Sequence, residues 1–383
     1  MPADQPFVSS VEPFPGPGGS DILFPTSTPT ALIDSPATSR PVAATQRVTF
    51  LDTLRFIAAG AVLFQHVAEK SGRFGQWAVG MLSPGVFGVV LFFVVSGFVI
   101  PMAAGRRFNL KTFLIRRVFR IYPLVLVAFA LLALLGYGTS LSGFAQVKSA
   151  TLHDWLANLL LVQDYLGATP LWGVTWTLSI EFAWYALFAV ALVTLGRRFD
   201  DKLIIAAPLV ELGLVGVSLL IGHRLPLART GMVYAALLGC RAFRAYDGQL
   251  TPRRIYLDTG IFVVTMAISN IVSFGYYHHP HITMNQALVP WLIAPLLFML
   301  VACVPPIRHS PLVNNRLTGW LGSISFSTYL LHPFSMGLAS SLVSPGLFAV
   351  TCVLLTLVLS VLGYQLVELP GQALGKRIVA LAR

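Results

Sequence analysis

Charge is scarce in this sequence. Only 11% of its 383 residues are Asp, Glu, Lys or Arg, less than half of the roughly 25% usual in soluble domains. That shortage argues against an ordinary soluble domain. Cysteine is scarcer still. Cys240, Cys303 and Cys352 stand far apart, in or beside apolar runs, with no metal-ligand spacing. They exclude a disulfide framework and a cysteine-held metal, and are expected to be buried filler. Acidic residues number 15 against 26 basic ones, a net charge of +11. In a soluble chain that excess would point to nucleic acid. Internal repeats are lacking too, which weakens a transporter built from paired halves.

What is present is hydrophobic: 56% of the chain. Ten runs reach the roughly 20 residues that a bilayer-spanning helix needs. They lie near 49–68, 85–104, 118–136, 172–195, 203–222, 229–246, 256–275, 286–304, 318–339 and 347–367. The fold class expected is all-α, a polytopic membrane protein of about ten transmembrane helices. If the N-terminus is cytoplasmic, the inner loops near 105–117, 196–202, 241–255 and 305–317, with both tails, hold about 19 of the 26 Lys and Arg residues. The positive-inside rule thus places both termini in the cytoplasm. It also removes the nucleic-acid reading, because the cations are spread over several loops.

Residues 1–48 are rich in Pro, Ser, Thr and Gly and have no basic start followed by an apolar core. They read as a disordered tail, not a signal peptide. A membrane domain is expected over 49–372 and a short cytoplasmic tail over 373–383. Between the third and fourth runs, "TLHDWLANLLLVQDYL" is amphipathic and is expected to lie on the outer surface.

Polar residues inside the apolar runs carry the functional signal. "LRFIAAGAVLFQH" holds Arg55 and His66, framed by Asp52 and Glu69. Eleven residues are almost three helical turns, so both fall on one face, about 16 Å apart along the axis. An Arg within a span costs roughly 2.5–3.5 kcal/mol on insertion scales and marks a functional site by default. "WTLSIEFAWY" places Glu181 in an apolar stretch, where it is expected to be paired with a cation or to be neutral; Arg55, Arg120 and His66 are the candidate partners. "RRFNLKTFLIRRVFRIYP" crowds six cations together. Arg116 and Arg120 are one turn apart with Arg117 beside them, a clamp for phosphate groups. His332 in "LGSISFSTYLLHPF" reads as structural. "YYHHPH" (276–281) has three histidines but no acid or cysteine nearby to complete a metal site, so no metal is expected. Taken alone, Arg55, Glu181 and His66 would also suit an ion relay in a secondary transporter or lipid flippase.

Together these stretches resemble the acyltransferase 3 family of integral membrane proteins. "LDTLRFIAAGAVLFQH", "LFFVVSGFVI", "RRVFRIYP", "WTLSIEFAWY", "LGSISFSTYLLHPF" and "LVELPG" follow the family's order over about residues 48–372. The resemblance implies a bacterial plasma-membrane enzyme with no permanently bound cofactor. Such an enzyme moves an acyl group, usually acetyl, from cytoplasmic acyl-CoA to a hydroxyl of a carbohydrate or glycoside acceptor within the lipid membrane. It implies that His66 is the essential histidine, Arg55 its partner, Glu181 the acidic residue, and Arg116, Arg117 and Arg120 the acyl-CoA-binding cations. His66 would act as general base or be acylated itself. Val90 and Phe182 depart from the polar residue and second Glu that many members carry there, which puts acceptor choice in doubt. The chain ends soon after its tenth run, so transfer is expected to finish within the membrane domain or pass to a separate protein.

Overall fold

The computed structural model describes residues 48–70, 72–105, 108–277 and 282–382. The N-terminal tail, Arg106, Arg107 and the three histidines of "YYHHPH" lie outside them. All regular elements are helical. In chain order they are α1 (Thr49–Glu69), α2 (Gly72–Leu82), α3 (Pro84–Ala104), α4 (Leu110–Gly138), a 3-10 turn (Ser142–Ser149), α5 (Leu152–Leu159), α6 (Gln163–Leu166), α7 (Trp176–Leu195), α8 (Phe199–Ile221) and α9 (Leu227–Tyr246). Then come α10 (Pro252–Asn270), which runs into a π-turn (Ile271–Tyr276), α11 (Met284–Cys303), α12 (Pro305–Arg308), α13 (Arg316–Ser323), α14 (Ser325–Leu342) and α15 (Pro345–Gly363). A second π-turn (Tyr364–Glu368) carries α15 into α16 (Leu369–Leu381).

Eight segments among the described residues are long and apolar enough to cross a membrane: α1, α3, α4, α7, α8, α10 with its π-turn, α11, and α15 through α16. The chain is a polytopic membrane protein. The other two expected spans are helical but more polar. Residues 229–246 form most of α9, which carries Arg229, Arg241 and Arg244. Residues 318–339 are broken at Ile324 into α13 and α14, and α14 holds His332 and several serines. Protein, not lipid, surrounds much of both. α9 packs on α3, α8, α10 and α11, and α14 packs on α1 and α15. A helix enclosed by other helices does not need the apolar surface that lipid demands.

α3 is apolar on all sides and sits centrally, between α1 and α9. Its glycines allow that. A methyl group at Gly97 would come within 1.7 Å of the Ala236 carbonyl oxygen, and one at Gly239 within 2.0 Å of the Val94 carbonyl oxygen. The α3 and α9 backbones touch, as small residues permit in membranes. Gly97→Ala is therefore expected to force the helices apart and cost about 1–3 kcal/mol. Thermal melting in detergent checks this; an unchanged melting temperature would show that the crossing is loose.

Asn109 starts α4 earlier than expected by capping the Thr112 amide at 2.9 Å. Arg116 and Arg117, expected in a loop, are therefore helical. Arg241 and Arg244, also counted among loop cations, are buried within α9. Arg241 meets Asp258 at 2.8 Å and Asp200 at 3.0 Å, and Arg244 meets Asp200 at 2.7 Å. These pairs tie the ends of α8, α9 and α10 together.

The amphipathic segment forms α5 behind a capping box. The Thr151 hydroxyl (2.6 Å), the Thr151 amide (2.9 Å) and the Thr169 amide (2.7 Å) all donate to Asp154. These donors, the Thr151 hydroxyl foremost, pull its carboxyl down to about 2, below the ordinary value near 3.9. A depressed carboxyl stabilises the fold above its unfolded pKa and loses that contribution as pH falls through its folded one. The melting temperature should therefore fall between about pH 4 and pH 2, and fall less in Asp154→Asn. Identical acid profiles for the two proteins would contradict this.

Candidate active site

Three helices bring four charged side chains to the centre of the bundle: α1 supplies Arg55, α4 supplies Arg117 and Arg120, and α7 supplies Glu181. A cavity of about 230 Å³ opens between α1, α3, α4, α7 and α14, and Arg55, Arg117, Arg120 and Glu181 line it together. Apolar rings and aliphatic side chains of α3, Phe92 and Phe93 among them, form much of the remaining wall, with Thr177, Tyr185 and Tyr329 as polar neighbours. Three of the four residues come from sequence stretches more than sixty positions from the fourth.

Glu181 takes a tyrosine as its hydrogen-bond partner. Tyr185, one turn along α7, donates its hydroxyl to the carboxylate. The ion pair expected with Arg55, Arg120 or His66 is replaced by this bond, because Tyr185 sits at i+4 on the same helix face. Arg55 is paired instead with Asp52, at 3.8 Å and one turn back on α1. It also lies in the fields of Arg120, Glu181 and Glu368. Glu368, on the second π-turn, is buried; it accepts from the Ser327 hydroxyl at 2.5 Å, and its other oxygen has no hydrogen-bond partner among the described residues. The guanidinium of Arg117 packs over the rings of Phe113 and Tyr185, 5.4 and 5.6 Å from their centroids. Its Nε is buried without an acceptor among the described residues. A fixed, desolvated guanidinium with spare donors is ready for an anionic ligand.

The expected three-arginine clamp is divided. Arg116 is exposed and lines a second cavity of about 500 Å³ with Lys111, Asn109 and Thr112, closed on one side by Val379 and Ala382 at the end of the last membrane segment. Arg117 lines both cavities, and Arg120 only the inner one. A ligand with a charged, bulky end and a slender reactive arm fits this arrangement.

His66 lines neither. It lies near the far end of α1, with 37% of its side chain exposed, and its Nδ1 is 3.2 Å from Glu69 Oε2. A carboxylate only accepts, so Nδ1 carries the hydrogen and Nε2 is left as a base. The imidazole stacks on that of His332, with centroids 5.2 Å apart and planes 17° apart. His332 in turn lies beside Tyr329, whose ring is 6.2 Å away and lines the inner cavity. Tyr329 and His332 thus bridge the arginine cavity and His66.

Residues 48–365 match the family model for an acyltransferase domain. The chain belongs to the acyltransferase 3 family. It is 30% identical over 178 residues to an O-acetyl transferase of Shigella phage Sf6, covering 43% of this chain and 52% of that one. It is 33% identical over 150 residues to the acyltransferase MdmB of Streptomyces mycarofaciens, covering 37% and 38%. The chain thus matches about half or less of the length of these relatives. No solved structure matches it.

Within this family fold, sequence reasoning overlooked Tyr185, Tyr329 and Glu368, and set His332 aside as structural. Glu181 and Tyr185 could have been paired from their i, i+4 spacing. No spacing announces that His332 meets His66, which is 266 positions away. Among the described residues no group of His, Cys, Asp and Glu could hold a metal, and all three cysteines are free.

Proposed function

We propose that this acyltransferase 3 protein moves an acyl group, acetyl by preference, from acyl-CoA to a hydroxyl of a carbohydrate acceptor. The observation that carries this reading is Arg117, shared by a cation-rich outer cavity and a largely apolar inner one. The phosphates of CoA would sit against Lys111, Arg116 and Arg117. The uncharged pantetheine arm would enter the inner cavity, passing Arg55, Arg120 and Glu181 and carrying the thioester by way of Tyr329 and His332 towards His66. Acyl-CoA is made in the cytoplasm, so the outer cavity and both termini face that side, in agreement with the loop charges.

In this reading His66 takes the proton of the acceptor hydroxyl at Nε2, while Glu69 holds Nδ1–H. The hydroxyl oxygen bonds to the thioester carbonyl carbon. Collapse of the tetrahedral intermediate breaks the C–S bond, and the proton returns from His66 to the departing thiolate. Arg55, about 16 Å back along α1 and beside Asp52, helps hold the donor arm in the inner cavity while its thioester end passes Tyr329 and His332 to reach His66. The names of the relatives, one an O-acetyl transferase, support oxygen as the acceptor atom. Purified protein in liposomes, given a simple glycoside as acceptor and acetyl-CoA labelled in the acetyl group, tests the reaction. Expected is labelled ester, with free CoA formed in step. Accumulation of intact acetyl-CoA inside the vesicles would instead mean transport and would sink this reading.

A further inference from the structure

His332 is the polar group that the proposed chemistry leaves unexplained. It is 1% exposed, inside α14. Its Nδ1 lies 2.8 Å from the Tyr329 carbonyl oxygen. A carbonyl only accepts, so Nδ1 carries the hydrogen and the lone pair is fixed on Nε2. That Nε2 is buried and has no donor among the described residues. A buried acceptor left unsatisfied costs about 1–3 kcal/mol, and a phenylalanine would fill the same space without that cost. The ring also stands between the inner cavity and the half-exposed His66. Two imidazoles in the same tautomer, stacked 5.2 Å apart, therefore offer two Nε2 lone pairs to whatever lies beside them. One hydroxyl has one hydrogen and can satisfy only one of them.

We propose that His332 is an acceptor-binding residue: its Nε2 takes a hydrogen bond from a second hydroxyl of the acceptor, next to the one that His66 deprotonates. The inference rests on the acyl-transfer reading and adds a specificity element to it. The site would then favour a molecule that presents two neighbouring hydroxyls over one that presents a single hydroxyl. Within the pair, His66 does chemistry and His332 fixes which oxygen it does it on.

The test uses the full chain in liposomes, labelled acetyl-CoA, and two small probes at equal concentration, trans-1,2-cyclohexanediol and cyclohexanol. Wild type is expected to acetylate the diol about 5- to 150-fold faster per hydroxyl, the rate equivalent of one buried hydrogen bond. His332→Phe keeps a ring stacked on His66 but has no acceptor atom. It should bring the ratio near one, chiefly by slowing the diol. His332→Gln restores an acceptor and should restore part of the preference. If His332→Phe slowed both probes equally, the residue would be structural and the inference would be overturned. Equal rates in wild type would overturn it too, and leave acyl transfer intact. No release of CoA by wild type with either probe would overturn both.

Discussion

His66→Ala is expected to lower acyl transfer by about 10²- to 10⁴-fold, the usual cost of losing a general base. The protein should still fold. His66 is more than one-third exposed, and its partner Glu69 is 43% exposed, so neither belongs to the packed core. What the substitution removes is the half-exposed imidazole of the stacked His66–His332 pair. Glu69→Gln is a milder test of the same idea. It keeps the shape but weakens the bond that holds Nδ1–H, and should cost about tenfold, near the low end for hydrogen bonds to charged groups. Rates are read from labelled acetyl-CoA, with folding checked by circular dichroism. Near-normal transfer by a well-folded His66→Ala protein would mean that another group takes the proton.

Arg117→Ala should raise the KM for acyl-CoA by about 10- to 150-fold, the equivalent of a charge-assisted hydrogen bond to phosphate. Arg116→Ala should raise it by no more than about fivefold, because an exposed ionic contact contributes at most about 1 kcal/mol. The contrast follows from placement, since the two residues adjoin in sequence. Arg117 is held over Phe113 and Tyr185 and reaches both cavities; Arg116 is exposed and reaches one. Arg117→Lys tests the mechanism further. Lysine keeps the charge but not the planar stack or the forked donors, so only part of the affinity should return. Equal effects of Arg116→Ala and Arg117→Ala would show that the two cavities do not divide the ligand.

The membrane architecture was legible because lipid imposes it directly. Each lipid-facing helix must be long and apolar, and eight of ten expected runs meet that demand. The two that fall short, α9 and α13–α14, are shielded by neighbours, and shielding cannot be seen in one stretch of sequence. The break at Ile324 was likewise hidden. Arg55, Glu181 and Arg120 stood out for the same physical reason: each is costly in an apolar run. The structure gathers them with Arg117, but gives Glu181 a tyrosine and Arg55 an aspartate on its own helix. Arg241 and Arg244 looked like loop cations because their acids, Asp200 and Asp258, lie on other helices. The stacking of His66 on His332 is a tertiary contact between the first and one of the last helices, and no local pattern encodes it.

The most direct test of the donor site is a structure of the protein bound to CoA. Expected is density for the phosphates against Lys111, Arg116 and Arg117, with the pantetheine arm in the cavity lined by Arg55, Arg120 and Glu181 and its thiol end towards His66. CoA bound with its arm outside that cavity, or not bound at millimolar concentration, would contradict the assignment of these arginines to the acyl donor.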